Sequence, residues 1–585
     1  MNKEYLITVF STFGNKMSVN LTAGIDKVYL ERTDFMVLAL TGRTGSGCST
    51  VAELLEREFS FVPSYIDGLD SIEKRKGEIA NSFLAKAWLP FRRITISSII
   101  FSCLAACDQD ALNKFLSGNR IPLENLTNFE RLVNELRSSE YYQEYINYIV
   151  GDSQRSNALV AWKFFSEEVS RLAPRAKEIL SASYARLFQA AGDNLRLSGV
   201  ADSPEVNVNK LFFLMEVVKR LCLGAVDSDR EQQINSTRIV VDAVRNSLEL
   251  VYLRDKFSAC YAIAVTAPDK DRRERLANAG MPLKDIDALD KKEYAKNSLG
   301  DYSNFVSQNV QDCIQRSDLF INNSGGVDAF ESKIKILGNQ LIKYVALMLR
   351  PGIITPTRDE RCMQLAFVSR LNSGCISRQV GAAVADRAGS IKAVGWNDVP
   401  KGQVSCLLRD VGDLISKDEA AYSDYERKNP EFRRFIANKY DRRSGLKQDQ
   451  GLPCPYCFKD VYNEMKGSKN QVHTRSLHAE ENAFLQLAKT GNSGIEGGIL
   501  YTTASPCELC SKKAFQLGMT EVVYVDPYPG ISSEHVLAYG DARPTLRLFS
   551  GAVGHTYHKL YEAILPIKDE LLARHREDPQ KKLII

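Results

Sequence analysis

The sequence lacks any apolar run that approaches the roughly 20 residues of a membrane-spanning helix. Its net charge is only +4 over 585 residues, so composition neither requires nor excludes a nucleic-acid partner. The first residues, MNKEYLITVFSTFGNK, contain a short apolar patch but no h-region followed by a cleavage site, and we expect no signal peptide. The thirteen cysteines are scattered and odd in number, which is typical of a reducing compartment. We therefore expect a cytoplasmic protein with no membrane partner.

Histidine is also scarce, and its distribution divides the chain. All six histidines follow residue 470, so histidine chemistry is confined to the C-terminal part. A chain of this length, with 44% hydrophobic and 25% charged residues, is too long for one ordinary core, and two or three domains are expected. The Pro-rich stretch PGIITPT at 351–357 predicts a boundary between residues 1–350 and residues 351–585.

The C-terminal part contains a pattern typical of a catalytic zinc site. His478 begins the motif HAE, and Cys507 and Cys510 belong to the motif PCELC. One histidine and two cysteines suit a tetrahedral zinc ion with one position left open for water. Glu480 is not needed as a ligand, and its carboxylate can take a proton from that water and return it to a leaving amine. The pattern is that of a zinc-dependent nucleobase deaminase.

The flanking sequence predicts how these groups are positioned. Residues 477–487 have apolar side chains at helical spacing, residues 499–503 form a strand-like apolar run, and residues 507–517 predict a following helix. Two helix starts would then present the ligands side by side. The alternative is a purely structural zinc site, which would use a fourth protein ligand and leave Glu480 without a role.

The N-terminal part contains a second pattern, a glycine-rich turn between a buried strand at 35–41 and a helical stretch. This context is required of a phosphate-binding loop, because the glycines let backbone N–H groups converge on an anion at a helix N-terminus. The lysine position of such loops is Cys48, and a thiol cannot replace an ammonium group, so we expect nucleotide binding without phosphoryl transfer. The alternative is a glycine-rich helix start with no ligand. The predicted nucleotide-binding residues are Gly42, Arg43, Thr44, Gly45, Ser46, Gly47, Cys48, Ser49 and Thr50.

The rest of the N-terminal part predicts strands that alternate with helices. Residues from about 80 to 235 are expected to be mainly helical, and strands are expected at 239–242, 262–266 and 318–322. Such alternation favours a doubly wound parallel sheet.

Residues 35–345 resemble P-loop nucleotide kinases such as adenylate or dephospho-coenzyme A kinases, in the glycine loop, the segment VVDAVRN and the Arg-rich stretch DKDRRER. The resemblance implies a magnesium-side role for Asp242 and a nucleotide bound with Mg²⁺. It also implies that Arg272, Arg273 and Arg275 face the phosphates. The alternative is that these arginines lie on a solvated helix face. The helical stretch at about 80–235 would be an insertion in this domain.

Residues 355–550 resemble the deoxycytidylate deaminase family, in CISRQVGAAV, GWNDVPKG, HAEENA and LYTTASPCELC. The resemblance implies that Asn397 holds the sugar and ring, that Arg378 lies near the nucleotide phosphate, and that the backbone N–H of Ala479 contacts the pyrimidine. Trp396 and Asp398 stand where the family often has Tyr and Gly. The expected fold class is α/β, with an N-terminal P-loop kinase-like sheet and a C-terminal cytidine-deaminase-like α/β/α domain.

A charged insertion at about 403–470 separates these motifs and suggests a second, structural zinc. Its candidate ligands are Cys406, Cys454, Cys457 and His473, which would complete a closed site, as some deoxycytidylate deaminases have. The alternative is four free residues in a loop.

The pairing of the two domains resembles the anti-phage deoxycytidylate deaminases of bacteria. The resemblance implies deamination of dCTP and dCMP, depletion of the dCTP pool during infection, a small regulatory RNA as partner and a homo-oligomer. Two alternatives remain: a polynucleotide cytidine deaminase acting on tRNA or single-stranded DNA, and an RNA-binding regulatory protein with a structural zinc.

Overall fold

The computed structural model describes residues 21–59, 70–151, 157–293, 302–325, 330–415, 421–440, 452–491, 494–526, 532 and 534–575. The chain divides into two compact units between Thr355 and Pro356. The second unit ends at Gly554, and the described residues from His555 onward belong to the first unit. The sequence places this boundary at 350–351 and groups the residues after 555 with the C-terminal domain.

The first unit is built on a parallel sheet. Its strands are β1 (Phe35–Thr41), β2 (Arg92–Thr95), β3 (Thr237–Asp242), β4 (Cys260–Thr266) and β5 (Leu319–Asn322). They lie in the order β5-β4-β1-β3-β2, and each neighbouring pair is parallel. β1, β3 and β4 are buried on both faces, as their unbroken apolar runs predict. The predicted strands and their parallel arrangement are confirmed, whereas β2 was not predicted and lies within the stretch expected to be helical.

Helices of the first unit cover this sheet. Val37 and Ala39 of β1 and Ile239 and Val241 of β3 alternate along their strands, so each pair faces the same large apolar core. The expected helical character of residues 80–235 is confirmed by the helices that lie between Ile96 and Glu231. The helices are α1 (21–33), α2 (Cys48–Glu56), α3 (Ser71–Ala87), α4 (Ile96–Ala106), α5 (Gln109–Gly118), α6 (Leu123–Arg137), α7 (Tyr142–Val150), α8 (Ala158–Phe164), α9 (Ser170–Leu180), α10 (Tyr184–Ser198), α11 (Phe213–Glu231), α12 (Ser247–Lys256), α13 (Asp269–Asn278), α14 (Leu283–Glu293), α15 (Tyr302–Val306), α16 (Val310–Arg316) and α17 (Phe330–Leu349).

The second unit contains a mixed sheet with strands β6 (Gly381–Ala385), β7 (Ile391–Trp396), β8 (Ile499–Thr502), β9 (Glu521–Tyr524) and β10 (Thr545–Leu548). The order is β10-β9-β8-β6-β7. β6 is antiparallel to both β7 and β8, whereas β8, β9 and β10 are parallel to one another. A short strand, β11 (Gly551–Ala552), follows. The hairpin predicted between β6 and β7 is confirmed.

The helices of the second unit are α18 (Arg358–Ser369), α19 (Val411–Ile415), α20 (Asp424–Lys428), α21 (Pro430–Lys439), α22 (Phe458–Lys466), α23 (Ala479–Thr490) and α24 (Glu508–Gln516). Ala479, Ala483 and Leu487 lie four residues apart and form the face of α23 that packs on β6. A Cβ atom at Gly395 of β7 would come within 2.3 Å of the Ala479 carbonyl oxygen, so glycine there permits the close approach of this helix.

The chain ends, as far as it is described, in α25 (Gly554–Tyr561) and α26 (Ile567–His575). Residues of α26 are held within the first unit by polar contacts to α1. The Tyr29 hydroxyl donates to Glu570 at 3.1 Å, and Arg574 donates to Asp26 at 2.7 Å. Within the described ranges, no helix has the length and apolar character needed to cross a membrane.

Candidate active site

Two helix starts bring the predicted zinc ligands together. His478 precedes α23 in an extended conformation, and Cys507 precedes α24 in the same way, so both side chains project from helix N-termini. Cys510 lies in the first turn of α24 and is buried. The helices and the intervening strand predicted at 477–517 are therefore confirmed, and they place three ligand-bearing residues at one end of β8.

The distances fit one metal ion. The Nδ1 atom of His478 lies 3.3 Å from the Cys507 Sγ atom and 3.5 Å from the Cys510 Sγ atom. A nitrogen and a sulfur that share a tetrahedral zinc ion are expected about 3.6 Å apart, given ordinary Zn–N and Zn–S bond lengths. Among the residues that the structure describes, these three form the one group of His, Cys, Asp or Glu suited to holding a metal. The donor set and its spacing match zinc.

The protonation of the two cysteines is coupled. A hydrogen bond from Cys510, together with the neighbouring His478, lowers the pKa of Cys507 to about 4. The same hydrogen bond, with burial, raises the pKa of the Cys510 thiol. The lowered pKa favours the thiolate form of Cys507, which is the form that ligates a metal, and metal binding would release the proton held by Cys510.

Glu480 lies beside the ligands without joining them. Its side chain is only 4% exposed, and burial raises the pKa of its carboxyl group. One carboxylate oxygen, Oε1, accepts a hydrogen bond from the Thr502 hydroxyl at 3.1 Å, and the other, Oε2, lies 3.6 Å from the Cys510 sulfur. The carboxylate is therefore held by the Thr502 hydroxyl on one oxygen and meets the Cys510 thiol with the other, so it faces the ligand group.

Thr502 is a site residue that sequence reasoning missed. It ends β8, and its hydroxyl reaches Glu480 across the gap between this strand and α23. The motif YTTASPC shows a threonine close to the cysteines, but the contact depends on the packing of α23 over the sheet, which no local pattern reveals.

The loop that carries the predicted substrate residues is tied to α23. Asn482 donates to the Trp396 carbonyl oxygen at 2.7 Å, and the Leu477 N–H donates to the Asp398 carbonyl oxygen at 2.8 Å. The loop after β7 is thereby held next to the residue that precedes His478. Trp396 and Asp398, the two departures from the family pattern, contribute to these contacts through their backbone carbonyl groups.

The predicted substrate residues contact the protein itself. The side chain of Asn397 accepts from the Val380 N–H and donates to the Arg378 carbonyl oxygen, both at 2.7 Å. Arg378 forms an ion pair with the fully buried Asp526. Ala479, fully buried, is the first residue of α23. Asn397 therefore orders the chain around Arg378, and the substrate roles of these three residues stay predictions.

The four candidates for a second zinc do not meet as a ligand group in the described part of the chain. The Cys406 sulfur lies 3.7 Å from an Arg475 nitrogen, and the His473 ring packs against Tyr462 with ring centroids 4.5 Å apart. Cys457 lies directly before α22, and Cys454 lies in the preceding loop. A second zinc stays a prediction.

The glycine loop of the first unit connects β1 to α2. Gly45 and Gly47 have φ angles of 85° and 108°, which favour glycine. Burial raises the pKa of Cys48 to about 12, so the residue at the expected lysine position is a neutral thiol. Asp242, at the end of β3, pairs with Arg93 at 2.6 Å.

The predicted lid arginines lie on α13, and they differ in exposure. Arg272 is fully buried, which excludes a solvated helix face for that residue, and it pairs with Asp269 and Asp290. Arg273 is partly exposed and also pairs with Asp290. Arg275 donates to the Asn323 carbonyl oxygen at 2.7 Å.

Comparison with known proteins bears on the second unit. The model of the cytidine and deoxycytidylate deaminase zinc-binding region matches residues 356–526. Deoxycytidylate deaminase of Enterobacteria phage T4 is 32% identical over 168 residues, which are 28% of this chain and 76% of the phage protein. The Schizosaccharomyces pombe deoxycytidylate deaminase is 28% identical over 216 residues, 36% of this chain and 48% of the yeast protein. The crystal structure of dCMP deaminase from cyanophage S-TIM5 in apo form has 24% identity, covers 33% of this chain and 96% of its own, and has a TM-score of 0.19.

Proposed function

This chain belongs to the deoxycytidylate deaminase family, and we propose that it hydrolyses the 4-amino group of deoxycytidine nucleotides, dCMP and dCTP. Water adds its oxygen to C4 of the cytosine ring, and the amino group leaves as ammonia, so the product is the corresponding deoxyuridine nucleotide. The observation that carries the proposal is the position of Glu480, a buried carboxylate next to the zinc-ligand set that is not itself a ligand.

Zinc held by His478, Cys507 and Cys510 would supply the Lewis acidity that makes water reactive at neutral pH. Glu480 is the group that moves protons: its carboxylate accepts one proton from the attacking water and delivers it to ring N3, and it then accepts the second proton from the hydroxyl now bound to C4 and delivers it to the departing amine. Thr502 holds Oε1 of this carboxylate by its hydrogen bond, so the carboxylate is already oriented before substrate enters.

The substrate contacts are proposed from the family motifs. The N–H of Ala479 is one of the first N–H groups of α23, which lack partners within the helix, and it is proposed to meet the pyrimidine. Arg378 is proposed to meet the phosphate and Asn397 the sugar and ring. The contacts of Asn397 with residues 378–380 support a shared, ordered surface for both.

The first unit is proposed to bind a nucleotide at the glycine loop, with Mg²⁺ on the Asp242 side, and to control the deaminase without transferring phosphate. The strand, glycine turn and helix support binding, and the neutral Cys48 argues against phosphoryl transfer. Depletion of dCTP as an anti-phage defence, control by a small RNA and a homo-oligomeric state rest on the resemblance of the two-domain pairing.

The experiment that tests deamination replaces Glu480. Glu480→Gln keeps the shape of the side chain but removes its ability to cycle a proton, so turnover of dCMP and dCTP should fall by at least about a thousandfold while bound zinc is retained. Glu431→Gln, which changes an exposed carboxylate of the same unit, is the control and should keep full activity. Near-normal turnover of the Glu480 variant would exclude the proposed proton transfer.

The polynucleotide alternative is tested with the same protein. The loop at 396–398 is tied to α23 beside the ligands, which favours a pocket closed around a free nucleotide. Wild-type protein should therefore deaminate dCMP or dCTP and leave single-stranded DNA and tRNA unchanged. Conversion of a cytidine in either polymer, with free nucleotides untouched, would favour the alternative.

A further inference from the structure

The glycine loop is surrounded by arginines that are paired with acids of the same unit. Arg43, in the loop itself, is 6% exposed and pairs with Asp269 at 2.5 Å and with Asp290 at 2.8 Å. Arg272 pairs with the same two carboxylates at 2.8 and 2.7 Å, and it also donates to the Thr44 carbonyl oxygen at 3.1 Å. These cations are therefore held close to the loop by acids on α13 and α14.

A third acid makes direct contact with the loop. Glu293, the last residue of α14, is only 1% exposed. The Thr44 N–H donates to its two carboxylate oxygens at 3.1 and 3.3 Å, and the Thr44 hydroxyl donates to Oε1 at 2.5 Å. Arg245, which follows β3, forms an ion pair with the same carboxylate at 2.7 Å.

The contacts of Glu293 are those that a phosphate oxygen makes in a glycine loop. A backbone N–H of the loop, a hydroxyl and a guanidinium converge on one anionic group, and the group is supplied by the chain itself. One carboxylate and one phosphate cannot both accept from Thr44 and Arg245 in the same geometry.

We propose that Glu293 is an internal competitor that occupies the anion position of the glycine loop, and that a polyphosphate ligand binds only by displacing it. This inference rests on the proposed nucleotide binding of the loop. Asp290 lies one helical turn before Glu293 on α14, so withdrawal of this helix end would also remove one of the two carboxylate partners of Arg43 and of Arg272 and leave both arginines paired with Asp269. The exchange transfers the Arg245 guanidinium from a protein carboxylate to a ligand phosphate, weakens the pairing of Arg43 and Arg272 and changes the position of α14, which gives the unit two states.

The test measures binding of inorganic triphosphate and of ATP to the full chain by calorimetry, since neither probe carries a cytosine ring for the zinc site. Glu293→Gln keeps the volume and removes the charge, and it should bind both probes about tenfold tighter than wild type, because displacement no longer breaks an ion pair. Glu293→Asp keeps the charge but shortens the side chain and should be intermediate. Asp285→Asn, an exposed acid on the same helix, removes an equal charge and should match wild type.

A second measurement does not depend on affinity. Without ligand, Glu293→Gln should melt at a lower temperature than wild type, because Arg245 loses its ion pair with this carboxylate. Triphosphate should supply a new partner for Arg245 and so remove this difference in melting temperature. In wild type, triphosphate should increase hydrogen exchange in the last turn of α14.

The outcomes separate the inference from its premise. Equal or weaker binding by Glu293→Gln, with clear binding by wild type, would refute the competitor and leave the loop as a phosphate site. If neither wild type nor either Glu293 variant binds triphosphate or ATP, the loop is not a phosphate site, and both the proposed nucleotide binding and this inference are wrong. Should Glu293→Gln not fold, the comparison of Glu293→Asp with wild type decides in the same way.

Discussion

The zinc-ligand group and the glycine loop are both built where a helix begins after a strand or loop, yet their charged groups are used differently. At the start of α23 and α24, three ligands converge, and the Glu480 carboxylate beside them accepts a hydrogen bond from one hydroxyl and forms no ion pair in the described part of the chain. At the start of α2, Arg43 already has carboxylate partners, and the Thr44 N–H already has an acceptor. A sequence motif therefore indicates which groups could bind a ligand. The contacts of those groups within the protein decide whether they can bind it directly or only after a conformational change.

The largest expected effect tests the zinc side of this comparison. Cys510→Ala removes a buried ligand, so bound zinc should fall by one ion per chain and deamination should be lost, since two ligands do not hold zinc in a catalytic site. Metal analysis by mass spectrometry and a dCMP assay measure both.

The control for this prediction is Cys375→Ala, a partly buried cysteine of the same unit outside the group. Unchanged zinc content in the Cys510 variant would show that the ion binds elsewhere. The zinc content of the wild-type protein also tests the second site. One zinc per chain would exclude the cluster of Cys406, Cys454, Cys457 and His473.

The next effect concerns the orientation of Glu480. Thr502→Val keeps the β-branched shape but removes the hydroxyl that donates to Oε1, so kcat should fall about 10- to 100-fold while KM changes little. Thr502→Ser should recover most of the rate, because it restores the donor.

The adjacent Thr503 offers a matched control. Its hydroxyl accepts from the Gly381 N–H, so Thr503→Val should lower stability and leave kcat near wild type. If Thr503→Val lowers kcat as much as Thr502→Val does, the effect of Thr502 is on the strand and not on Glu480.

The two regions also differ in how far sequence can predict them. The zinc ligands were predictable because each lies within one turn of a helix start, and the spacing of two short motifs fixes the donor set. Thr502 was not, because its contact with Glu480 depends on how a helix packs over a sheet. The partner of Thr44 lies 249 residues away, and no local pattern connects them.

The same limit applies to the fold. β1, β3 and β4 were predictable because strands buried on both faces are continuous apolar runs. β2, with the sequence RRIT, has one fully buried residue, so its edge position in the sheet leaves no such run. The residues after 555 join the first unit through side-chain contacts to α1, which are specified by tertiary structure and not by chain order.

The smallest expected effect tests the glycine loop. Ser49→Ala combined with Thr50→Ala removes two hydroxyls from the first turn of α2, and ATP binding in the presence of Mg²⁺ should weaken several-fold to about tenfold. The backbone N–H groups and the arginines remain, so binding should not be abolished. Zinc content and the dCMP turnover of the purified variant should equal those of wild type, because all three zinc ligands lie in the other unit.

Two controls complete this prediction. Ser71→Ala, at the start of α3 in the same unit, removes a hydroxyl outside the loop and should leave ATP binding as in wild type. Incubation of wild type with ATP and dCMP should give no phosphorylated product, because the neutral Cys48 provides no ammonium group for the transferred phosphate. Phosphate transfer in that assay would make the chain a bifunctional enzyme, and unchanged ATP affinity in the double variant would leave the loop as a structural turn. Weakened ATP binding with intact deamination would show that the two helix starts are separate sites, one for deamination and one for nucleotide binding.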